Sequence, residues 1–246
     1  MYEKAILNYI NKHGFGQFSP KAVLFDMDGV CYDSMPNHAS AWHKSMASYG
    51  FDMPEAAAFR YEGMRGTDII RSVVKLGTGR EISEPEAQTM YDEKARLFGL
   101  LPEPPIMDGV IELMRSIKDA GLAICVVTGS GQKPLIRRLL SDFGEFIDDS
   151  HLITAFDVKH GKPAPDPYLM GLDKAGGLQP WEGIVVENAP FGVKAGAAAG
   201  IFTIAVNSGP LPDEALSCEG ADVVLPRMSV LRDSFSSLMA AAKNLS

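Results

Sequence analysis

From residue 107 onward, short apolar segments alternate with segments of helical periodicity, and this alternation is the strongest constraint on the fold. The pattern predicts strands over 122–128, 151–155, 183–187 and 202–206, and helices over 109–120, 132–142, 166–175 and 190–199. Strands separated by helices form parallel sheets that are covered on both faces and bind ligands at the strands' carboxyl ends. The apolar strand at 21–26 joins the same predicted sheet. The expected fold class is therefore α/β, a three-layer structure around a parallel sheet.

Residues 35–105 depart from this alternation because they are helical almost throughout, with apolar spacings such as Ala39, Trp42 and Met46. Prolines near both ends break helices and stiffen the connections. We therefore predict a core domain of residues 20–34 and 106–246 and an inserted helical cap domain of residues 35–105. Residues 1–19 are predicted to be an N-terminal helical extension that packs on the surface.

Composition narrows the class of protein. The chain has 246 residues, 46% of them hydrophobic and 22% charged, which is ordinary for a soluble globular enzyme. Its net charge of −8 argues against nucleic acid as a partner. No apolar run approaches a membrane span, and no secretion signal precedes the first strand, so no membrane partner is expected. Three cysteines without a CxxC pair favour a reducing, cytoplasmic location. The acidic surface favours a monomer.

Two carboxylates follow the first predicted strand directly. Asp26 and Asp28 lie on the same side of an extended chain, and Gly29 then allows a sharp turn. Such a pair either binds a divalent cation or divides into a nucleophile and a general acid/base. The alternative is a solvated turn at the end of a strand.

Three further motifs follow later strands. Thr128, Gly129 and Ser130 could cradle a phosphoryl oxygen, although the same residues also form turns and helix caps. Lys162 is held between glycine and prolines, as a positioned charge or as a surface lysine. Glu187 and Asn188 offer oxygen ligands to a hard cation, or Asn188 caps the next helix.

Together and in this order, the four motifs resemble those of the haloacid dehalogenase superfamily of phosphotransferases, which has a Rossmann-like core. The resemblance implies that Asp26 is the nucleophile and that Asp28 is the general acid/base. It implies that Thr128 binds the phosphoryl group and that Lys162 neutralises its charge. It further implies Mg²⁺ as cofactor, held by Asp26, the backbone carbonyl of Asp28 and Asn188, with Glu187 ligating the metal or holding a metal-bound water. The family commonly has aspartate in place of Asn188, so weaker Mg²⁺ binding is expected here.

The helical insertion is similar to the cap of the β-phosphoglucomutase-like branch. In that branch a histidine matching His38 contacts the general acid/base when the cap closes. The arginine with which a mutase binds a second phosphate would match Gly66, and the nearest arginine is Arg65. The mutase's cap lysine would match Met90, and Lys94 lies one helical turn further on. The mutase's phosphate-binding residues are thus missing or displaced.

Glu62 is an unusual acid for a cap loop that faces an anionic substrate. With the motifs around Thr128 and Glu187, it resembles the inorganic pyrophosphatases of this branch, in which case Gln132 and Lys94 contact the leaving phosphate. Alternatively, Glu62 caps a helix or pairs with Arg65. The predicted function is a Mg²⁺-dependent phosphohydrolase acting on a small phosphorylated substrate, with pyrophosphate first, then hexose or sugar-alcohol phosphates. The alternatives are a β-phosphoglucomutase and a non-catalytic scaffold.

Overall fold

The computed structural model describes residues 1–130 and 133–245 and contains a parallel sheet of six strands. The strands run in the spatial order β3-β2-β1-β4-β5-β6. Their bounds are β1 Ala22–Phe25, β2 Ala123–Val127, β3 Leu152–Ile153, β4 Gly183–Glu187, β5 Phe202–Val206 and β6 Val223–Leu225. Because β1 lies between β2 and β4, the carboxyl ends of these three strands meet at one edge of the sheet.

Side chains alternate between two apolar layers along each strand. Val23 and Phe25 belong to one hydrophobic cluster, and Leu24 belongs to another on the opposite face of the sheet. The surrounding core helices are α6 Val110–Asp119, α7 Lys133–Phe143, α8 Asp166–Lys174, α9 Pro190–Ala198, α10 Glu214–Ser217 and α11 Met228–Asn244. The predicted three-layer α/β fold is confirmed.

The N-terminal helix α1, Tyr2–His13, is more deeply integrated than the sequence suggests. Ile6 and Tyr9 are fully buried in the larger core cluster. The Tyr9 hydroxyl donates a hydrogen bond to the Gly200 carbonyl at 2.8 Å. The prediction of an extension on the surface therefore understated its role, because one side of α1 completes the apolar layer beside α11.

Four helices lie between β1 and α6: α2 Met35–Ser48, α3 Glu55–Tyr61, α4 Gly66–Thr78 and α5 Glu84–Phe98. They pack around a hydrophobic cluster of their own that includes Trp42, Met46 and Ile70. The two connections to the sheet run side by side, because the Asp33 amide donates to the Pro105 carbonyl at 2.9 Å. We call these four helices and the loops between them the cap.

Within residues 1–130 and 133–245, none of the helices combines the length and the apolar character that crossing a membrane requires.

Candidate active site

The site begins at the carboxyl end of the central strand β1, where Asp26 and Asp28 are both buried. Gly29 follows with φ of +81°, a backbone conformation that glycine adopts without strain. A Cβ at this position would lie 2.0 Å from Nδ2 of Asn188. The loop after β1 and the residue after β4 are therefore in direct contact.

Lys162 joins three strands through its ammonium group. Its Nζ donates to Asp26 Oδ1 at 2.5 Å, to Glu187 Oε1 at 2.7 Å and to the Val127 carbonyl at 3.0 Å. Burial alone would lower the pKa of Lys162, but the two carboxylates raise it, so the amine stays charged. Burial raises the pKa of Asp26 to about 7; Lys162 opposes this rise, and the carboxylates of Glu187 and Asp28 add to it.

Glu187 is fully buried, and protein donors engage both of its oxygens. Oε1 accepts from Lys162 and from the Tyr168 hydroxyl at 2.7 Å, and Oε2 accepts from the amides of Asn188 and Ala189 at 3.0 and 3.3 Å. Glu187 therefore holds Lys162 in place in this structure. The family resemblance had implied that Glu187 ligates the metal or holds a metal-bound water. The sequence analysis did not identify Tyr168. This residue lies on the buried side of α8 among apolar side chains, so its sequence pattern is that of an ordinary core residue.

The loop after β2 carries the predicted phosphoryl-binding motif. Thr128 is buried, and its Oγ1 accepts a hydrogen bond from the Ser130 amide at 2.9 Å. Gly129 and Ser130 line a pocket between the cap and the sheet. A Cβ on Gly129 would lie 2.6 Å from the Gly63 carbonyl oxygen of the cap, so the cap lies directly against this loop. Gln132, the remaining predicted residue of this loop, lies outside the described residues.

Two buried oxygens have no hydrogen-bond partner within the described residues: Asp26 Oδ2 and Asn188 Oδ1. A buried polar atom without a partner is costly, and a carboxylate and an amide oxygen are ligands that Mg²⁺ accepts. No group of three His, Cys, Asp or Glu side chains in the described parts of the chain forms a metal site by itself. The donors fit Mg²⁺ because this ion needs few protein ligands and takes others from water and phosphate.

From the cap, α2 and α5 supply a hydrogen-bonded chain that ends on Asp28. His38 Nε2 lies 3.0 Å from Asp28 Oδ1, and Lys94 Nζ lies 2.7 Å from His38 Nδ1. Ser34, which the sequence analysis missed, donates to the same Asp28 oxygen at 2.6 Å. Burial raises the pKa of Asp28, but His38, Ser34 and Lys94 outweigh it and lower the value. Burial and Lys94 lower the pKa of His38, and Asp28 opposes this change. Because an ammonium group can only donate, Nδ1 accepts from Lys94 and Nε2 carries the proton that is donated to Asp28.

Lys94 and Glu62 bring opposite charges to the same pocket. Lys94 is buried, with its Nζ 5.1 Å from the centre of the Trp42 ring, and burial lowers its pKa to about 8. Glu62 follows α3 and lines the pocket with Asp28, His38 and Lys94. Burial raises the pKa of Glu62 to about 8, and the carboxylates of Asp28 and Asp26 contribute to the rise. The structure therefore adds a cap carboxyl group, that of Glu62, to the core carboxylates Asp26, Asp28 and Glu187.

Comparison with known proteins places this arrangement in a family. The family described as haloacid dehalogenase-like hydrolase matches residues 20–200. The chain belongs to this family. Hexitol phosphatase A of Escherichia coli K12 is 34% identical over 188 residues, which cover 76% of this chain and 83% of that protein. The β-phosphoglucomutase of Bacillus subtilis 168 is 26% identical over 217 residues, which cover 86% of this chain and 91% of that protein.

A solved structure extends the match to nearly the whole chain. The structure described as "Putative beta-phosphoglucomutase from Bacteroides vulgatus" is 45% identical to this chain and has a TM-score of 0.94. The match covers 98% of this chain and 98% of that chain. The family membership predicted from the four motifs and the branch predicted from the helical insertion are confirmed. This haloacid dehalogenase-like hydrolase is an enzyme, either a phosphohydrolase or a phosphoglucomutase.

The cap of this family member differs from the mutase pattern where the sequence analysis located the difference. A Cβ on Gly66 would lie 2.0 Å from Cε2 of Tyr91, so the Tyr91 ring occupies the space that a larger side chain at 66 would need. Arg65 was predicted to bind substrate, but its Nη2 donates to the carbonyls of Ala155, at 3.2 Å, and of Val158. These contacts direct its guanidinium to the core.

The contacts of Glu62 and Lys94 bear on two further points of the sequence analysis. No ion pair joins Glu62 to Arg65 in the described part of the molecule, so Glu62 is not neutralised in that way. Lys94 was predicted to contact a leaving phosphate. In the structure its Nζ contacts His38, although Lys94 also lines the pocket from which such a contact would be made.

Proposed function

We propose that this protein is a Mg²⁺-dependent phosphohydrolase that acts through a phosphorylated Asp26. The observation that supports this proposal most directly is the environment of the Asp26 carboxylate. One of its oxygens is fixed by Lys162, and the other is buried without a protein partner beside the similarly unpartnered Asn188 Oδ1. An Asp held in this way can attack phosphorus without first reorganising its surroundings.

The residues of the site divide the reaction into two displacements. Asp26 attacks the phosphorus, the bond from phosphorus to the leaving oxygen breaks, and Asp28, when it is protonated, gives its proton to that oxygen; a leaving phosphate can depart as the anion without this proton. Asp28 then takes a proton from a water molecule that attacks the phosphorylated Asp26, which releases phosphate and restores the carboxylate. Lys162 neutralises the charge of the transferred group beside Asp26 throughout.

Asp26 Oδ2, the carbonyl of Asp28 and Asn188 Oδ1 are the groups that would hold Mg²⁺. When bound, the cation neutralises phosphoryl charge and orients the group for in-line attack. Glu187 supports the site indirectly, because it holds Lys162 in place.

The protonation state of Asp28 bears on the substrate. His38 and Ser34 lower the pKa of Asp28, which favours the carboxylate that activates water over the acid that protonates a leaving group. A sugar alkoxide is a poor leaving group and needs that proton, whereas phosphate leaves with less help. The lowered pKa of Asp28 supports pyrophosphate over a phosphate ester as the proposed substrate.

The size of the pocket supports the same substrate. The closed cap leaves a cavity of about 30 Å³, bordered by Glu62, Lys94 and Asp28. A single water molecule needs roughly 10–15 Å³, so the cavity suits a compact group. Glu62, when ionised, adds a negative charge that favours a substrate accompanied by cations, as pyrophosphate is.

Sugar or sugar-alcohol phosphates are the second candidates, and the names of the relatives favour them, as for hexitol phosphatase A. Mutase activity is disfavoured, because the Tyr91 ring fills the space next to Gly66 and Arg65 is engaged by core carbonyls.

Steady-state assays with Mg²⁺ would test the proposal with pyrophosphate, sorbitol 6-phosphate, β-glucose 1-phosphate and p-nitrophenyl phosphate. We expect hydrolysis of pyrophosphate with the highest kcat/KM, and none of any substrate in Asp26→Asn. Glu62→Gln should lose pyrophosphate hydrolysis selectively, whereas Glu81→Gln, at an exposed acid of the cap, should not. Conversion of β-glucose 1-phosphate to glucose 6-phosphate without phosphate release would instead establish the mutase.

A further inference from the structure

The catalytic pocket adjoins a second and larger cavity. This outer cavity has a volume of about 220 Å³ and lies between α4, α5 and the core segment that follows β3. Its wall includes Thr67, Glu84 and Gln88 from the cap and Phe156 from the core. Phe156 is 70% exposed, which is unusual for a large apolar side chain and leaves its ring available to a ligand.

Three residues border both cavities: Gly66, Tyr91 and Gly129. Gly66 and Gly129 have no side chain. Among the three residues that border both cavities, Tyr91 alone therefore contributes a side chain, and its ring lies between the two cavities. Tyr91 precedes Lys94 by three residues on α5, which puts both side chains on the same face of the helix. The ring is partly buried and lies 6.2 Å from the Trp42 ring, measured between centroids.

We propose that Tyr91 is a specificity-determining residue, a partition that confines substrates to the inner cavity of about 30 Å³ and excludes larger ones from the outer cavity. This inference rests on the proposed phosphohydrolase function. Without the ring, the two cavities would form one continuous cleft. A phosphate at Asp26 could then carry a sugar or polyol group whose hydroxyls meet Glu84 and Gln88 and whose carbon face meets Phe156.

The chemistry of the outer wall favours that class of ligand. An amide can donate hydrogen bonds to a hydroxyl or accept them from it, a carboxylate accepts them, and an exposed aromatic ring packs against the C–H face of a sugar. Arg65 also borders this wall. Its Nη2 donates to the core carbonyls of Ala155 and Val158, and its Nε has no hydrogen-bond partner within the described residues.

The test compares Tyr91→Ala with Tyr91→Phe, using kcat/KM for sorbitol 6-phosphate relative to pyrophosphate. We expect Tyr91→Ala to raise this ratio at least tenfold, and Tyr91→Phe, which keeps the ring, to leave it near the wild-type value. Adding Gln88→Ala to Tyr91→Ala should reverse part of the gain for the sugar-alcohol phosphate and leave pyrophosphate hydrolysis unchanged. An unchanged ratio in Tyr91→Ala, or equal changes in both single variants, would overturn the inference.

Calorimetric binding in an Asp26→Asn background separates this inference from the proposed function. There, Tyr91→Ala should increase the affinity for sorbitol 6-phosphate relative to pyrophosphate, whether or not the wild type hydrolyses either one. Equal relative affinities with and without the ring would overturn the role of Tyr91 alone. Failure of the phosphohydrolase proposal would show separately, as retained turnover in Asp26→Asn.

Discussion

Lys94 Nζ lies 2.7 Å from His38 Nδ1, and this contact determines which nitrogen of the imidazole carries its proton. Because the ammonium group donates to Nδ1, the other nitrogen is the donor to Asp28 Oδ1, 3.0 Å away. A lysine on α5 thus orients the general acid/base at the end of β1 through a histidine on α2. The Lys94–His38 contact lies within the cap, whereas the His38–Asp28 contact joins the cap to the core.

Replacing Lys94 by methionine should lower kcat by about 10- to 100-fold, because His38 loses the donor that orients it. Since burial lowers the pKa of Lys94 to about 8, wild-type kcat should also decline as pH rises through that value. The variant should lack this decline. Lys75→Met, at an exposed cap lysine paired with Glu81, is the matched control. Wild-type kcat and pH dependence in Lys94→Met would contradict the role of the lysine.

Asn188→Asp should tighten Mg²⁺ binding by about tenfold or more, because a second carboxylate would face the cation beside Asp26. Titration calorimetry with Mg²⁺ alone measures this change without any substrate. Asn8→Asp, on the exposed side of α1, adds the same charge away from the site. If Asn188→Asp and Asn8→Asp bind Mg²⁺ with the affinity of the wild type, Asn188 is not a ligand.

Arg65→Lys should weaken cap closure, because an ammonium group cannot donate to the Ala155 and Val158 carbonyls with the geometry of a guanidinium. We expect kcat/KM to fall by about 10-fold, equally for pyrophosphate and for p-nitrophenyl phosphate. Arg60→Gln, at an exposed arginine of α3, should have no effect. A loss confined to substrates with two phosphates would restore the substrate-binding role that the sequence analysis gave to Arg65.

The buried carboxyl group of Asp222 should make the stability of the folded protein depend on pH. Burial raises the pKa of its carboxyl from 3.8 to about 6, although the Thr203 amide donates to it at 2.8 Å. Between these values the native state binds more protons than the unfolded state, so this group's contribution to stability falls as pH rises from about 4 to 6.

Asp222→Asn removes the titrating carboxyl and with it the loss of stability between pH 4 and pH 6. The free energy of unfolding of the variant, relative to that of the wild type, should therefore increase by about 2–3 kcal/mol at most from pH 4 to pH 7, as measured by chemical denaturation. The exposed Asp119→Asn controls for the loss of one charge. A stability difference that does not change with pH would contradict the raised pKa.

The sequence alone predicted most of the sheet. The four strands around the site are apolar runs buried on both faces, so their bounds were found to within a residue or two, as for β4 at Gly183–Glu187. The segment after residue 206 was left unassigned, and the structure places β6 and α11 there. The inner side of α1 was also missed, because an amphipathic helix does not itself show what it will cover.

The core motifs of the site were likewise determined by the sequence, for a physical reason. Parallel strands end at one edge of the sheet, so polar residues in the segments that follow β1, β3 and β4 can converge there, and Asp26, Lys162 and Asn188 do so. Only the tertiary structure decided how these groups divide their contacts. Glu187 accepts a hydrogen bond from Lys162, Arg65 donates to a core carbonyl, and Lys94 contacts His38. Each long side chain can reach several partners, and tertiary packing determines which of them it contacts.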